Sequence, residues 1–550
     1  MALLSSPEPH HLLVSFFVLL LSLLFCFIKL RSSTSVPALP TEWPLVVMLP
    51  SVVANLHRFH DYTTAFLAAS GSSFVFRGPA RHFLVTCNPA NVRHIFVSNF
   101  TNYPKGEEFA AIFDAMGNSF FNADGESWRR QRGRVQHLMS SPQLLAHMAR
   151  CCRDKLENGL LPFLVRMESV TSFDMQDLFT RFTFDMTAMS VIGVDPGLLT
   201  ADMPPVIVPD AMEAVMDVGF IRNMVPSSCW KLMKRLKIGP ELKLAAAQSE
   251  LCRFVTEMME KRGDGSVHMD EEQENSNVEI VSSYIHDPEY IDDHGKPNGF
   301  MYATLINYMF AGRDTVGTTL TWLFYNLIKQ PHIVSNLRRE LAPIAMHKAK
   351  NSTTMVTFEP EDTEPLVYLH AALFESMRLY PPGPIEGKTV MTDDVLPSGH
   401  KVQRGETILI SLYSMGRMEG VWGKDCTEYR PERWVKEDGK LLYVPSYKFL
   451  AFNAGPRSCL GKHISVVQMK SVVAAMVWNF DFEMWEGSCR AKAISCAQDE
   501  EWVMGQDPQT ADRMNDNTNP AVPCNLSKLL LLEWSFLEAE LPEGTRIRAF

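Results

Sequence analysis

The stretch from Met301 to Gln330 constrains this chain more than any other: it is long, largely apolar, and carries Arg313 and Asp314 near its midpoint. Its length and hydropathy alone would let it cross a membrane. Two charges deep in hydrocarbon make that costly, so the segment is expected as a helix inside a protein core. With 550 residues, 46% hydrophobic and 21% charged, the chain has material for such a core and is not disordered by composition. No Gly/Ser-rich linker or internal repeat divides it, which favours one large domain. Helical patterns dominate from about Ser127 to Ile328. Strand-like stretches run from Ser73 to Phe76, from His82 to Thr86, and near Val402 to Ile410. Asn88-Pro89 reads as the cap and first position of a helix through Phe96. The expected class is mainly α with small β-sheets, an α+β chain.

A second apolar run, Leu12 to Ile28, is broken only by Ser15 and Ser22. As a helix it spans about 26 Å, enough for the thinner endoplasmic reticulum bilayer. A cleaved signal peptide carries its positive charge before the run, whereas here Lys29 and Arg31 follow it. A retained anchor is therefore expected, with the downstream domain held in the cytoplasm. Pro37, Pro40, Pro44 and Pro50 then make a stiff, extended connector. The formal net charge of -11 argues against nucleic-acid binding. The acidic group Asp270, Glu271, Glu272 and Glu274 reads as a solvated loop. Eleven cysteines include no CxxC pair and no disulfide framework, so they are expected as reduced thiols with at most one recruited for chemistry.

That one is Cys459. It stands in Phe452-Asn453-Ala454-Gly455-Pro456-Arg457-Ser458-Cys459-Leu460-Gly461, with the spacing F-x-x-G-x-R-x-C-x-G. A thiolate here can serve as the anionic axial ligand of a haem iron. Gly455 and Gly461 permit tight turns and close approach to a flat cofactor. Arg457 can pair with a haem propionate. The apolar run after Gly461 suggests a helix whose N-terminus points at the sulfur and helps keep it ionised.

Three further segments gain weight beside this loop. Glu375 and Arg378 share a helix face that stops before Pro381-Pro382, and Arg433 can join them in a structural cluster. Trp128 and Arg132 share another face and can donate hydrogen bonds to the propionates. Around them Arg129, Arg130 and Arg134 make a basic surface, either simply solvated or suited to an acidic electron donor. In the central helix, the small pair Ala311-Gly312 would let a ligand approach. Thr315 can bond the Ala311 carbonyl, and Asp314 with Thr315 can relay protons.

These four segments, in this order, resemble the cytochrome P-450 superfamily over roughly residues 40 to 487. The resemblance implies a triangular, mainly helical fold behind a single N-terminal transmembrane helix. It implies haem b, with NADPH acting only indirectly through a reductase, and a small hydrophobic substrate. Carried over by position, Cys459 is the metal ligand and Asp314 with Thr315 the catalytic pair. Trp128, Arg132, Arg457, Phe452, Gly455 and Gly461 bind the cofactor, and Glu375, Arg378 and Arg433 are structural. The expected organisation is a lumenal segment (1–11), anchor (12–28), connector (29–50), catalytic domain (51–504) and divergent tail (505–550).

Asn102-Tyr103-Pro104-Lys105-Gly106, Arg181-Phe182-Thr183-Phe184-Asp185 and Tyr413-Ser414-Met415-Gly416-Arg417-Met418 look like the plant fatty-acid and alkane hydroxylases, a clan that also resembles phenol-coupling enzymes of alkaloid synthesis. The expected activity is insertion of one oxygen atom into a long-chain alkane or fatty acid. Phenol coupling, a haem-thiolate isomerase or dehydratase, and a non-catalytic haem binder are the alternatives. Phe109, Ile112, Phe113, Met116, Phe120 and Phe121 are expected to roof an apolar pocket, unless they simply pack the core. Val316 stands where many relatives carry Thr or Ser, which leaves Thr315 as the sole hydroxyl of that pair.

Overall fold

The computed structural model describes residues 48–493, apart from 79–81, 168–172, 201–202, 267–278, 295, 350–354 and 486–487. The anchor, most of the connector, the acidic group at 270–274, residues 494–504 and the tail lie outside the described residues. Among the described residues no helix is long and apolar enough to cross a membrane, the central one included.

Six helices carry the site: α1 (Gly125–Leu138), α2 (Met175–Ile192), α3 (Ile207–Met224), α4 (Gly299–Lys329), α5 (Val367–Leu379) and α6 (Lys462–Asn479). α4 is the expected central helix. It starts where the Asn298 side chain accepts from the amides of Phe300 and Met301. Its apolar residues are buried on all sides, as in a helix enclosed by others. α2 lies close against it, because a Cβ at Gly312 would come within 2.6 Å of Thr187. That contact corrects one expectation: Gly312 serves helix packing, and only Ala311 of the small pair lies open.

Two cores meet on α4. Val316, Leu320 and Leu323 join one that also holds α5 and α6. Met301, Leu305 and Phe310 join another, with α2 and α3. Between them, Ala311 and Thr315 are exposed in mid-helix. A gap in the packing at the centre of a buried helix is a cleft, and the chemistry collects there.

A four-stranded sheet forms the third core, in the order β1 (Ser73–Arg77), β2 (His82–Thr86), β6 (Thr407–Ser411), β3 (Ile385–Thr389). β2 and β6 run parallel and the outer pairs antiparallel. Alternation buries Ile408 and Ile410 completely. Two-stranded sheets pair β4 (Asp394–Val395) with β5 (Lys401–Val402), and β7 (Phe480–Trp485) with β8 (Ser488–Ala493). The mainly helical class with small sheets is what the sequence patterns implied. Asn88 caps a helix over Pro89–Arg93, which continues as a wider turn to Ser98. A helix over Phe59–Ala69 is an addition to those patterns, although it buries Thr63, Phe66 and Leu67 at helical spacing.

Candidate active site

The Cys459 loop is fixed by its backbone. The Cys459 amide donates to the Phe452 carbonyl at 2.8 Å. Gly455 has a φ of 63°, and a Cβ there would strike the Phe96 carbonyl oxygen at 1.9 Å. Only glycine fits. Gly461 differs from expectation, because its φ of -83° is ordinary and an added Cβ would lie 3.9 Å from the thiol. The protein alone does not require glycine at that position.

Cys459 is exposed, yet desolvation is the largest influence on its thiol. Both hold because its surface opens into a walled cleft rather than bulk water. The amides of Gly461 and Lys462 at the start of α6, together with the Arg132 and Lys462 charges, favour the thiolate. Burial outweighs them and raises the thiol above its ordinary value. The helix N-terminus therefore does not suffice to ionise the sulfur, and a bound cation would have to supply the rest. Leu460, beside the thiol, packs against the core that holds the first half of α4.

α1 delivers Trp128 and Arg132. The Arg132 guanidinium donates to the Ser458 carbonyl, one residue from the thiol. Trp128 is buried against Phe100, with ring centroids 5.6 Å apart, and the Arg457 guanidinium lies 4.6 Å from its indole. Arg457 donates to the Ala123 carbonyl at 2.8 Å and pairs with Asp124. Its Nε–H is buried with no acceptor. The Trp128 N–H has none among the described residues. Phe452 is half-buried, 6.0 Å from the Phe374 ring on α5.

On α4, Thr315 donates to the Ala311 carbonyl at 2.7 Å. Asp314 accepts from Arg313 at 2.6 Å, and desolvation holds its carboxyl above the usual range. Arg313 also reaches Glu213 of α3 at 3.4 Å. Glu375 and Arg378 of α5 are completely buried and joined by two bonds of 2.7 and 2.8 Å. Arg433 reaches Glu375 at 3.3 Å, and Trp434 Nε1 donates to it at 2.9 Å.

The basic surface beside Trp128 is not an open patch. Arg129 pairs with Glu126 and Arg130 with Glu289. Arg134 pairs with Asp287 and stacks on Tyr284 and Tyr290. The apolar stretch also divides: Ile112 and Met116 are buried in the core, while Phe109, Phe113 and Phe121 cluster with centroids 4.8 to 5.9 Å apart. Sequence reasoning misses Asp124, Glu386 and Lys388 around Arg457. Lys105 enters it only as part of a resemblance, because no local pattern marks residues that meet from four separate segments.

An open thiol, a cleft along α4 and unpartnered N–H donors suit a flat iron group bearing carboxylates. A family model described as cytochrome P-450 matches residues 37–496. The chain is 38% identical to noroxomaritidine synthase 2 of Narcissus aff. pseudonarcissus MK-2014 over 493 residues, covering 87% of this chain and 92% of that protein. It is 35% identical to the alkane hydroxylase MAH1 of Arabidopsis thaliana over 477 residues, covering 86% and 93%. Against cytochrome P-450 86B1 of the same plant the identity is 34% over 456 residues, covering 81% of each. This chain belongs to the cytochrome P-450 family. It is an oxidoreductase that binds haem b, and the family generally draws NADPH electrons through a reductase and acts on hydrophobic substrates.

Proposed function

We propose that Cys459 is the axial ligand of the haem and that the chain inserts oxygen into a long aliphatic substrate, an alkane or fatty acid. The observation that carries the site is the open Cys459 thiol beside donors that the protein leaves unpartnered. Trp128, Arg132 and Arg457 hold the propionates, while Phe452, Gly455 and Gly461 shape the loop beneath the ring. Glu375, Arg378 and Arg433 hold the fold around it. The bound haem supplies dioxygen binding and activation.

The residues of α4 manage protons. The raised carboxyl of Asp314 can hold a proton, and the Thr315 hydroxyl, now turned to its own helix, can rotate to donate into the cleft. Arg313 keeps Asp314 oriented until that transfer. Phe109, Phe113 and Phe121 offer apolar surface, which favours long chains by about 0.8 kcal/mol per buried methylene. Residues 12–28 anchor the chain in the endoplasmic reticulum membrane, where the reductase meets the cytoplasmic domain.

In the Cys459→Ser variant the red-shifted Soret band of the reduced carbon monoxide complex should vanish. An unchanged band with haem still bound would sink the ligand assignment. Thr315→Ala should divert NADPH electrons from product to peroxide, whereas coupling equal to wild type would reduce Thr315 to packing. Phenol coupling is the second reading, supported by the 38% identity to a noroxomaritidine synthase. Spin-state titrations with alkanes, fatty acids and phenolic amines separate the two. A response to phenolic amines alone overturns the aliphatic reading.

A further inference from the structure

Lys105 belongs to none of the roles above, yet its place is closely determined. Gly106, with a φ of 88°, packs so tightly on Thr389 of β3 that a Cβ would overlap the hydroxyl at 2.3 Å. Thr389 donates its hydroxyl to the Lys105 carbonyl at 2.9 Å and its amide to the Pro104 carbonyl at 2.8 Å. The amides of Lys105 and Gly106 both donate to Asp124, the carboxylate that also holds Arg457. The lysine is thereby tied to the loop that carries the iron-ligand candidate.

Its ammonium lies 4.5 Å from the Phe109 ring centroid and 3.8 Å from that of Phe121. Of its three N–H groups, one has a protein acceptor among the described residues, the Phe121 carbonyl at 2.8 Å. The nearby carboxylates are already engaged. Glu386 pairs with Lys388 at 2.6 Å and accepts from Asn453 at 2.8 Å, and Asp124 pairs with Arg457. Charges around the cleft edge do not balance. Lys105, Lys388, Arg457 and Arg132 bring four positive charges, and Asp124 with Glu386 bring two negative ones. The excess is what a dicarboxylate would neutralise, and haem b carries two propionates.

We propose that Lys105 is a haem-anchoring residue whose ammonium pairs with a propionate at the edge of the cleft. The inference rests on the haem site proposed above and adds to it a residue from outside the four motifs. Desolvation, opposed by Glu386 and Asp124 and aided by Lys388 and Arg457, holds the Lys105 amine down to about 7 without the ligand. An anion beside it raises that value again. Haem capture therefore takes up a proton here above about pH 7, and retention weakens by up to about tenfold per pH unit until the raised value is passed.

The test is haem transfer from the loaded full-length protein to excess apomyoglobin, comparing wild type with Lys105→Met, Lys105→Arg and Arg457→Met. Thermal unfolding of each variant guards against a general loss of fold. Lys105→Met should release haem roughly 10- to 100-fold faster, the worth of one hydrogen bond to a charged group. Its resonance Raman propionate bending mode should shift. Lys105→Arg should restore retention and flatten the rise in release rate above neutral pH, because an arginine stays charged. Fast release from Arg457→Met with wild-type release and an unshifted mode in Lys105→Met would overturn the Lys105 assignment alone. Wild-type release from both variants would overturn the haem-edge site on which it rests.

Discussion

Two clusters of charge sit within this fold, and they are finished to different degrees. Around Glu375, every polar atom of the pair is consumed by protein. Arg378 binds Glu375 twice and also donates to the Gly416, Cys426 and Glu428 carbonyls. Glu375 accepts further from Arg433, Trp434 and the Arg430 amide. Around Arg457, by contrast, one buried N–H has no acceptor, the Trp128 N–H is unclaimed, and cations outnumber carboxylates. Buried polar groups left unsatisfied cost about 1–3 kcal/mol each, so a fold keeps them where a ligand will complete them. The first cluster is internal structure, and the second is one side of a binding site.

The contrast can be broken most sharply at Arg378. Arg378→Met leaves the Glu375 carboxylate buried without its main partner, which should cost about 3–5 kcal/mol in denaturant unfolding. A loss under about 1 kcal/mol would show that the first cluster is not the structural one. Arg457→Met should do the reverse. Haem affinity should fall by about 1.5–3 kcal/mol, while unfolding of the haem-free chain changes far less, because the guanidinium is incompletely satisfied by protein. Equal effects on unfolding and affinity would erase the distinction.

The smallest effect concerns pH. Lys105 is depressed to about 7 in the haem-free chain from an ordinary 10.5, so the unfolded state binds more protons between those values. Haem-free stability should therefore rise with pH across that window, and below about 7 the full penalty remains. Lys105→Met should remove the rise. A wild-type curve that stays flat from neutral to alkaline pH would mean the amine is not desolvated.

Much of the site is legible in the order of residues alone. The Cys459 loop, the Glu375–Arg378 spacing, the Trp128–Arg132 face and the central helix are local patterns within one element or turn. Hydrophobic periodicity and glycine geometry act over the same short range. Other readings fail where a distant neighbour decides. Gly312 reads as an opening for a ligand and instead meets Thr187 of α2. Arg130 and Arg134 read as a free basic face and instead pair with Glu289 and Asp287.

By itself the sequence determined the helical class, the thiol and the residue types that can serve a haem, because each depends on spacing of a few residues. Tertiary structure alone decided which charges are spent on one another and which stay open. Lys105, Asp124, Glu386 and Arg457 come from four separate segments, and only chain folding sets the distances that balance or strand them. Electrostatic pairing and desolvation depend on separation in space, a quantity that order along the chain does not contain.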